Sequence, residues 1–369
     1  MSKIRVDYIP SRALRAVSLA ARLGLVAGIV GVTGAAALAA DPVPVEQVGA
    51  EYARPQQRID VGGGRHINLH CMGEGQPTVV FESGLSDWSN TWALIQPAVA
   101  KRTRACSYDR PGMGYSDPAV EPRTPEAAVA DLKRLLDAAG IHEPVLLVGH
   151  SLGGFYAKLF AVTHPDRVAG LVLVDPSEER VWDRMGDELS VRFGPELVRT
   201  ARREAEGVSG LIAHFHKCAR KARNSGLDET WYRRCTDPVR TPLGEAILAD
   251  RRVLQATMDY QDTQWRELRD SMYGDHPEAD ARYARLFAGP APLGDLPMLV
   301  MTHGLWDLSD ATSEVHYRAW RGAHAQTAAL SRRGTQEMVP MTNHNIQVEH
   351  PKAVIDAVER VLRQVQDGR

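Results

Sequence analysis

Residues 144–154 place a serine where a chain could present a nucleophile. They read Pro144-Val145-Leu146-Leu147-Val148-Gly149-His150-Ser151-Leu152-Gly153-Gly154. The apolar run predicts a buried strand, and Phe155-Tyr156-Ala157-Lys158-Leu159-Phe160-Ala161 continues with helical spacing. Between them stands G-x-S-x-G, the pattern of a sharp turn that holds a serine out over the end of a sheet. Its glycines let strand and helix approach closely, and the helix N-terminus beside the serine favours negative charge. A serine hydroxyl is a weak nucleophile until a base removes its proton and an acid orients that base.

Candidates for both partners lie downstream. His344, in the polar stretch Thr342-Asn343-His344-Asn345-Ile346, follows a strand expected over Gln336 to Pro340. Another buried strand is expected at Pro297 to Thr302, leading into His303-Gly304-Leu305-Trp306-Asp307. Upstream, Thr78-Val79-Val80-Phe81-Glu82-Ser83-Gly84 reads as a strand ending in a glycine turn. The backbone N–H of Leu85, with that of Leu152 after the serine, would then form an oxyanion hole.

Serine, aspartate, histidine is the chain order of the α/β-hydrolase triad, and several other stretches fit that superfamily. They are Phe81 to Gly84, Tyr108-Asp109-Arg110-Pro111-Gly112-Met113-Gly114-Tyr115-Ser116, Gly149 to Gly154, Leu171 to Asp175, and Asn343 to Gln347. The chain resembles an esterase- or lipase-like serine hydrolase of this fold. The resemblance covers about residues 57–177 and 295–365. It implies a mostly parallel, doubly wound α/β sheet of about eight strands, with Ser151 as nucleophile and His344 as base. It makes Asp307, after the seventh strand, the expected acid. Asp175, at the end of the sixth, is the alternative, and Asp310 a weaker one that could simply cap a helix.

The elements that must position these residues follow from pattern. A hairpin is expected from Gln57 to Cys71 around Gly62-Gly63-Gly64, with strands at Thr103 to Tyr108 and Val168 to Val174. Helices are expected at Trp92 to Ala100 and Glu126 to Ala139. After Asp175-Pro176-Ser177 the pattern breaks. Residues 178–294 are charged, lack strand-like runs, and carry helical stretches such as Leu197 to Glu206 and Ala246 to Thr263. They read as a helical cap leaving from a strand's C-terminal end, where ligand sites lie. The core thus spans 57–177 and 295–369.

Other candidates carry less chemistry. His150 is expected to face away from the site, and His303 to line it. Asp109 and Arg110 are expected to form an ion pair or loop contact that orders the turn at Gly112. Trp88 and Trp92 either line an apolar substrate pocket or anchor the next helix in the core. His214 and Cys218 share a helical face but have too few companions for a metal. No metal or other cofactor is expected.

Length and composition bound the rest. The chain has 369 residues, 44% hydrophobic and 24% charged, ample for a core. Its formal net charge of −2 offers no basic field for nucleic acid. Residues 1–40 join a basic start (Lys3, Arg5, Arg12, Arg15, Arg22) to an uncharged run ending Ala37-Leu38-Ala39, the pattern of a cleaved signal peptide. An uncleaved membrane anchor is the alternative, since the run just reaches spanning length. Residues 41–56 are a Pro-containing linker. Four cysteines agree with export to the periplasm or outside the cell. In the sheet implied by the resemblance the second and fourth strands are neighbours, which suggests a Cys71–Cys106 bridge. Cys218 and Cys235 could then staple the cap.

The expected activity is hydrolysis of a carboxylic ester or related acyl bond in a small molecule. An aminopeptidase or amidase, or a carbon–carbon bond hydrolase, would use the same site. A dehalogenase or epoxide hydrolase would normally have aspartate in place of Ser151. A catalytically silent ligand-binding protein is the non-enzyme alternative. Composition leaves the oligomeric state open.

Overall fold

Short β-branched and apolar runs pair into eight strands: β1 Gln57–Asp60, β2 His66–Met72, β3 Val79–Glu82, β4 Ala105–Tyr108, β5 Val145–His150, β6 Val168–Val174, β7 Met298–His303 and β8 Gly334–Val339. In this computed structural model residues 49–368 are described, apart from 121, 206, 238 and 239. The expected leader and the first half of the linker lie outside these residues. Among the described residues no helix is long and apolar enough to cross a membrane. The strands form one sheet in the order β1-β2-β4-β3-β5-β6-β7-β8. β1 and β2, and β2 and β4, pair antiparallel; every other pair is parallel.

Helices cover both faces, which explains why the central strands are continuously apolar rather than alternating. Leu147, Leu171, Leu173 and Val300 pack on one face with Leu132 and Leu135 of α2 (Pro125–Ala138) and Phe155 and Leu159 of α3 (Leu152–Thr163). Leu146, Val148, Val172, Val174 and Met301 point to the other face. There they meet Val99 of the short α1 (Gln96–Val99) and Val354, Val358 and Val361 of α13 (Pro351–Asp367). The expected helix over Trp92 to Ala100 is thus only α1, preceded by a 3-10 turn at Ser89–Trp92.

Between β6 and β7 the chain builds a helical layer: α4 Val181–Phe193, α5 Pro195–Ala205, α6 Val208–Ser225, α7 Glu229–Cys235, α8 Glu245–Gln255, α9 Met258–Asp270 and α10 Pro277–Leu286. The stretch expected as one helix from Ala246 to Thr263 is divided between α8 and α9. Thr257 takes an extended conformation there and caps α9, its hydroxyl accepting from the Tyr260 N–H. Met185 and Leu189 of α4 and Val198 and Ala201 of α5 pack on Val315 and Ala319 of α11 (Ala311–Ala328). The last short helix, α12 (Ile346–Glu349), follows the loop after β8.

Both expected disulfides are present. Cys71 and Cys106 stand opposite each other across β2 and β4, and Cys218 of α6 is bonded to Cys235 at the end of α7. The second bridge closes a loop of 17 residues. Loops of that length are worth about 3 kcal/mol when cross-linked. Replacing Cys218 and Cys235 together with Ala should therefore lower the Tm of the full-length chain measurably in scanning calorimetry. An unchanged Tm would show that the bridge adds nothing.

Candidate active site

Each central residue sits where a strand ends. β5 runs into Ser151, which holds φ +52° and ψ −122°, a conformation a serine adopts only under constraint. A Cβ at Gly149 would lie 2.5 Å from the Gly153 carbonyl oxygen, and one at Gly153 would collide with the Ser83 carbonyl. Glycine at these positions is what brings β5, α3 and the turn after β3 together. β6 ends at Asp175, also at positive φ, +46°. His344 follows β8, and α3 begins at Leu152, directing its N-terminus at the serine.

The three side chains form one hydrogen-bonded line. Ser151 Oγ lies 2.9 Å from His344 Nε2, and His344 Nδ1 lies 2.5 Å from Asp175 Oδ2. With Nδ1–H donating to the carboxylate, Nε2 carries the lone pair that accepts the serine proton. Ser151 is 9% exposed and Asp175 fully buried. Asp175 accepts further bonds: at Oδ1 from the His303 N–H (3.0 Å) and Trp320 Nε1 (3.1 Å), and at Oδ2 from His303 Nδ1 (2.7 Å). Burial alone would raise its pKa. The hydrogen bonds from His303 and His344 outweigh that and hold it well below the usual carboxylate range.

The carboxylate against His344 is therefore Asp175, not the expected Asp307. After β7 the His303 and Trp306 rings stack, 4.5 Å between centroids, and the chain beyond them runs out to solvent. Asp307 is exposed there and accepts the Ser309 N–H. Asp310 caps α11 through the Ser313 N–H.

The oxyanion turn is held from behind. Arg110 donates from Nη1 to the Ser83 carbonyl (2.5 Å) and from Nη2 to the Gly84 carbonyl (2.7 Å). In a trans peptide the N–H points opposite the carbonyl, so the bond to Gly84 fixes where the Leu85 N–H points. Among the described residues neither the Leu85 nor the Leu152 N–H has a hydrogen-bond partner. Arg110 is itself clamped by Glu82 (2.7 Å) and by both oxygens of Glu267 from α9 (2.7 and 2.8 Å). Asp109 does not pair with Arg110. It accepts from the Ser89 and Tyr115 N–H groups and from Asn68, and so orders the turn through backbone bonds.

Trp88 and Trp92 are core anchors, with no exposed surface to offer a substrate. Trp92 packs on Phe81 and donates to Ser83 Oγ, while Trp88 packs on Met113 and Tyr260 beneath the Arg251 guanidinium. His150, expected to face away, reaches the histidine loop. Its Nε2 lies 2.9 Å from the His344 carbonyl, and Gln347 Nε2 is 3.2 Å from its Nδ1. Burial, helped by the charge of a protonated His344, lowers its pKa to about 3, so it stays neutral. His214 lies beside Cys218, whose sulfur is committed to the disulfide. Asp175, His303 and His344 also converge closely enough to bind a metal, but the His344 Nδ1 on that side already meets Asp175 Oδ2. Sequence reasoning missed the support His303 and Trp320 give Asp175, and a hydroxyl pair, Ser177 and Tyr273. For Ser177 the signal was adjacency, two residues after the acid; Tyr273 left none.

Comparison with known proteins agrees with the fold. The alpha/beta hydrolase fold family matches residues 77–214. The chain has the alpha/beta hydrolase fold. Over 148 residues it is 32% identical to the uncharacterized protein YqjL of Bacillus subtilis, covering 40% of this chain and 56% of that one. Over 129 residues it is 36% identical to a 2-hydroxymuconate semialdehyde hydrolase of Pseudomonas sp., covering 32% and 45%. The chain thus spans about half the length of these relatives. A candidate lipase, lip1, of Acinetobacter baumannii shares the fold with a TM-score of 0.60 at 15% identity, over 88% of this chain and 96% of that one.

Three variants test the assignments. Asp175→Asn should cut kcat on an activated ester by about 10⁴-fold, because the amide favours the wrong imidazole tautomer, while Asp307→Asn should leave it near wild type. The reverse ranking would return the acid to the loop after β7. Arg110→Lys should lower kcat by about 10- to 100-fold with little change in KM, since the turn loses its two-carbonyl clamp. A pure KM effect would mean that Arg110 orders substrate rather than the turn.

Proposed function

We propose that the protein is a serine hydrolase that cleaves a carboxylic ester or related acyl bond of a small molecule. The observation carrying this is the unbroken line from Ser151 through His344 to buried Asp175, beside two backbone N–H groups that have no partner among the described residues. Ser151 Oγ attacks the carbonyl carbon as its proton passes to His344 Nε2. Asp175 holds the imidazole and stabilises its cation. The Leu85 and Leu152 N–H groups receive the oxyanion. Collapse expels the leaving group with the proton from His344, and water activated by His344 then releases the acid product.

The Pseudomonas relative, a hydrolase of a semialdehyde, supports a second reading on the same residues, carbon–carbon bond hydrolysis. We propose further that the protein works in an oxidising compartment outside the cytoplasm. Its two disulfides support this, since such bonds are kept reduced in the cytosol.

A fluorophosphonate probe should label Ser151 in the full-length chain and not in Ser151→Ala, and that variant should lose ester turnover while keeping its fold. Turnover of aryl esters but not of vinylogous diketones would decide for acyl chemistry. Absence of any adduct on Ser151 would leave a ligand-binding protein on a hydrolase scaffold.

A further inference from the structure

Ser151 Oγ has a second polar neighbour besides His344. Ser177 Oγ lies 3.4 Å away, and Tyr273 OH lies 2.6 Å from Ser177 Oγ. Ser177 has no exposed surface and is tied to the elbow, its N–H donating to the Ser151 carbonyl at 2.8 Å. The next two residues, Glu178 and Glu179, are held by buried Lys158 of α3 and by Arg184 of α4. Tyr273 comes from the cap, in the connection between α9 and α10. Burial raises its pKa, so it remains a neutral donor.

Counting protons gives this chain a direction. The single Ser151 proton is directed at His344 Nε2, whose lone pair faces it. Tyr273 donates to Ser177. Ser177 therefore has its own proton free to donate to Ser151 Oγ. Ser177 also stands after β6, whereas the oxyanion turn stands after β3 on the other side of β5. Its hydroxyl thus addresses Ser151 Oγ itself, not the carbonyl oxygen of a substrate.

A donor on Oγ has opposite effects on the two half-reactions. In acylation Oγ is the nucleophile, and a donated hydrogen bond withdraws electron density from it. In deacylation Oγ is the leaving group. Water adds to the acyl carbon as its proton passes to His344, the carbon–Oγ bond breaks with its electron pair moving to Oγ, and Oγ takes the proton from His344 Nε2. A donor there stabilises the charge that develops on Oγ. We infer that Ser177, positioned by Tyr273 of the cap, donates to Ser151 Oγ and accelerates breakdown of the acyl-enzyme. This rests on the serine hydrolase reading above.

The test follows the two half-reactions of the full-length chain by stopped flow with p-nitrophenyl butyrate, with fluorophosphonate labelling as a separate measure of attack by Ser151. Ser177→Ala and Tyr273→Phe should each slow deacylation by about 3- to 10-fold, the worth of one hydrogen bond. Labelling should slow less, or not at all, so the acyl-enzyme accumulates and the p-nitrophenol burst grows. The double variant should be no slower than Ser177→Ala alone, because Tyr273 acts through Ser177. Wild-type deacylation in both single variants overturns the inference. So does equal slowing of labelling and deacylation, which would report only a displaced elbow. If the wild-type chain neither labels nor turns over ester, the hydrolase reading itself fails and takes this inference with it.

Discussion

The site depends on one buried carboxylate. Asp175 has no contact with water and yet is held well into its ionised range. An isolated charge in that position would cost several kcal/mol. Four donated hydrogen bonds, from the His303 backbone and ring, Trp320 and His344, offset the loss of hydration. They also fix the geometry. His303 belongs to β7, Trp320 to α11 and His344 to the loop after β8, so one anion ties three separate segments to the end of β6. The positive φ of Asp175 belongs to the same constraint, since a strained backbone persists only where its surroundings over-determine it.

A second set of buried charges joins the cap to the sheet. Arg110 sits between Glu82 of β3 and Glu267 of α9. Arg240 and Arg251 from the cap reach Asp87, just past the oxyanion turn. Such contacts are directional, so they specify where the cap sits more sharply than apolar packing would. They are also asymmetric in cost. Losing one partner of a buried pair leaves a bare charge worth about 3–5 kcal/mol of destabilisation. Arg110 therefore both helps to seat the cap and aims the oxyanion turn.

Much of this was legible in the residues. The elbow was readable because G-x-S-x-G stands between an apolar run and a helical one, and only a strand–turn–helix satisfies both. β6 was readable to the residue, as it is apolar on both faces and bounded by Arg167 and Asp175. The acid was not, because two aspartates each follow a strand and the choice turns on which carboxylate faces His344. That depends on the stacking of His303 and Trp306, which no local pattern encodes. Of the two roles expected for Asp109 and Arg110, Asp109 does order the turn, but Arg110 pairs with Glu267, 157 residues away, which sequence proximity could not show. Trp88 and Trp92 looked equally suited to pocket or core, and only the packing of Phe81, Met113 and Tyr260 decides that they are core.

Placing the carboxylate on β6 has a consequence for how this scaffold tolerates change. The carboxylates of Asp307 and Asp310 bond within their own turns and take no part in the serine–histidine line. The segment that carries them needs only to leave His303 and Trp306 in place, to keep the Leu305 N–H on the Thr342 carbonyl, and to start α11. The side chains of Leu305 and Leu308 stand exposed beside it. This loop can therefore lengthen, shorten or exchange its side chains without touching the acid. In a directed-evolution library it is the part of the rim where diversity would cost the least chemistry.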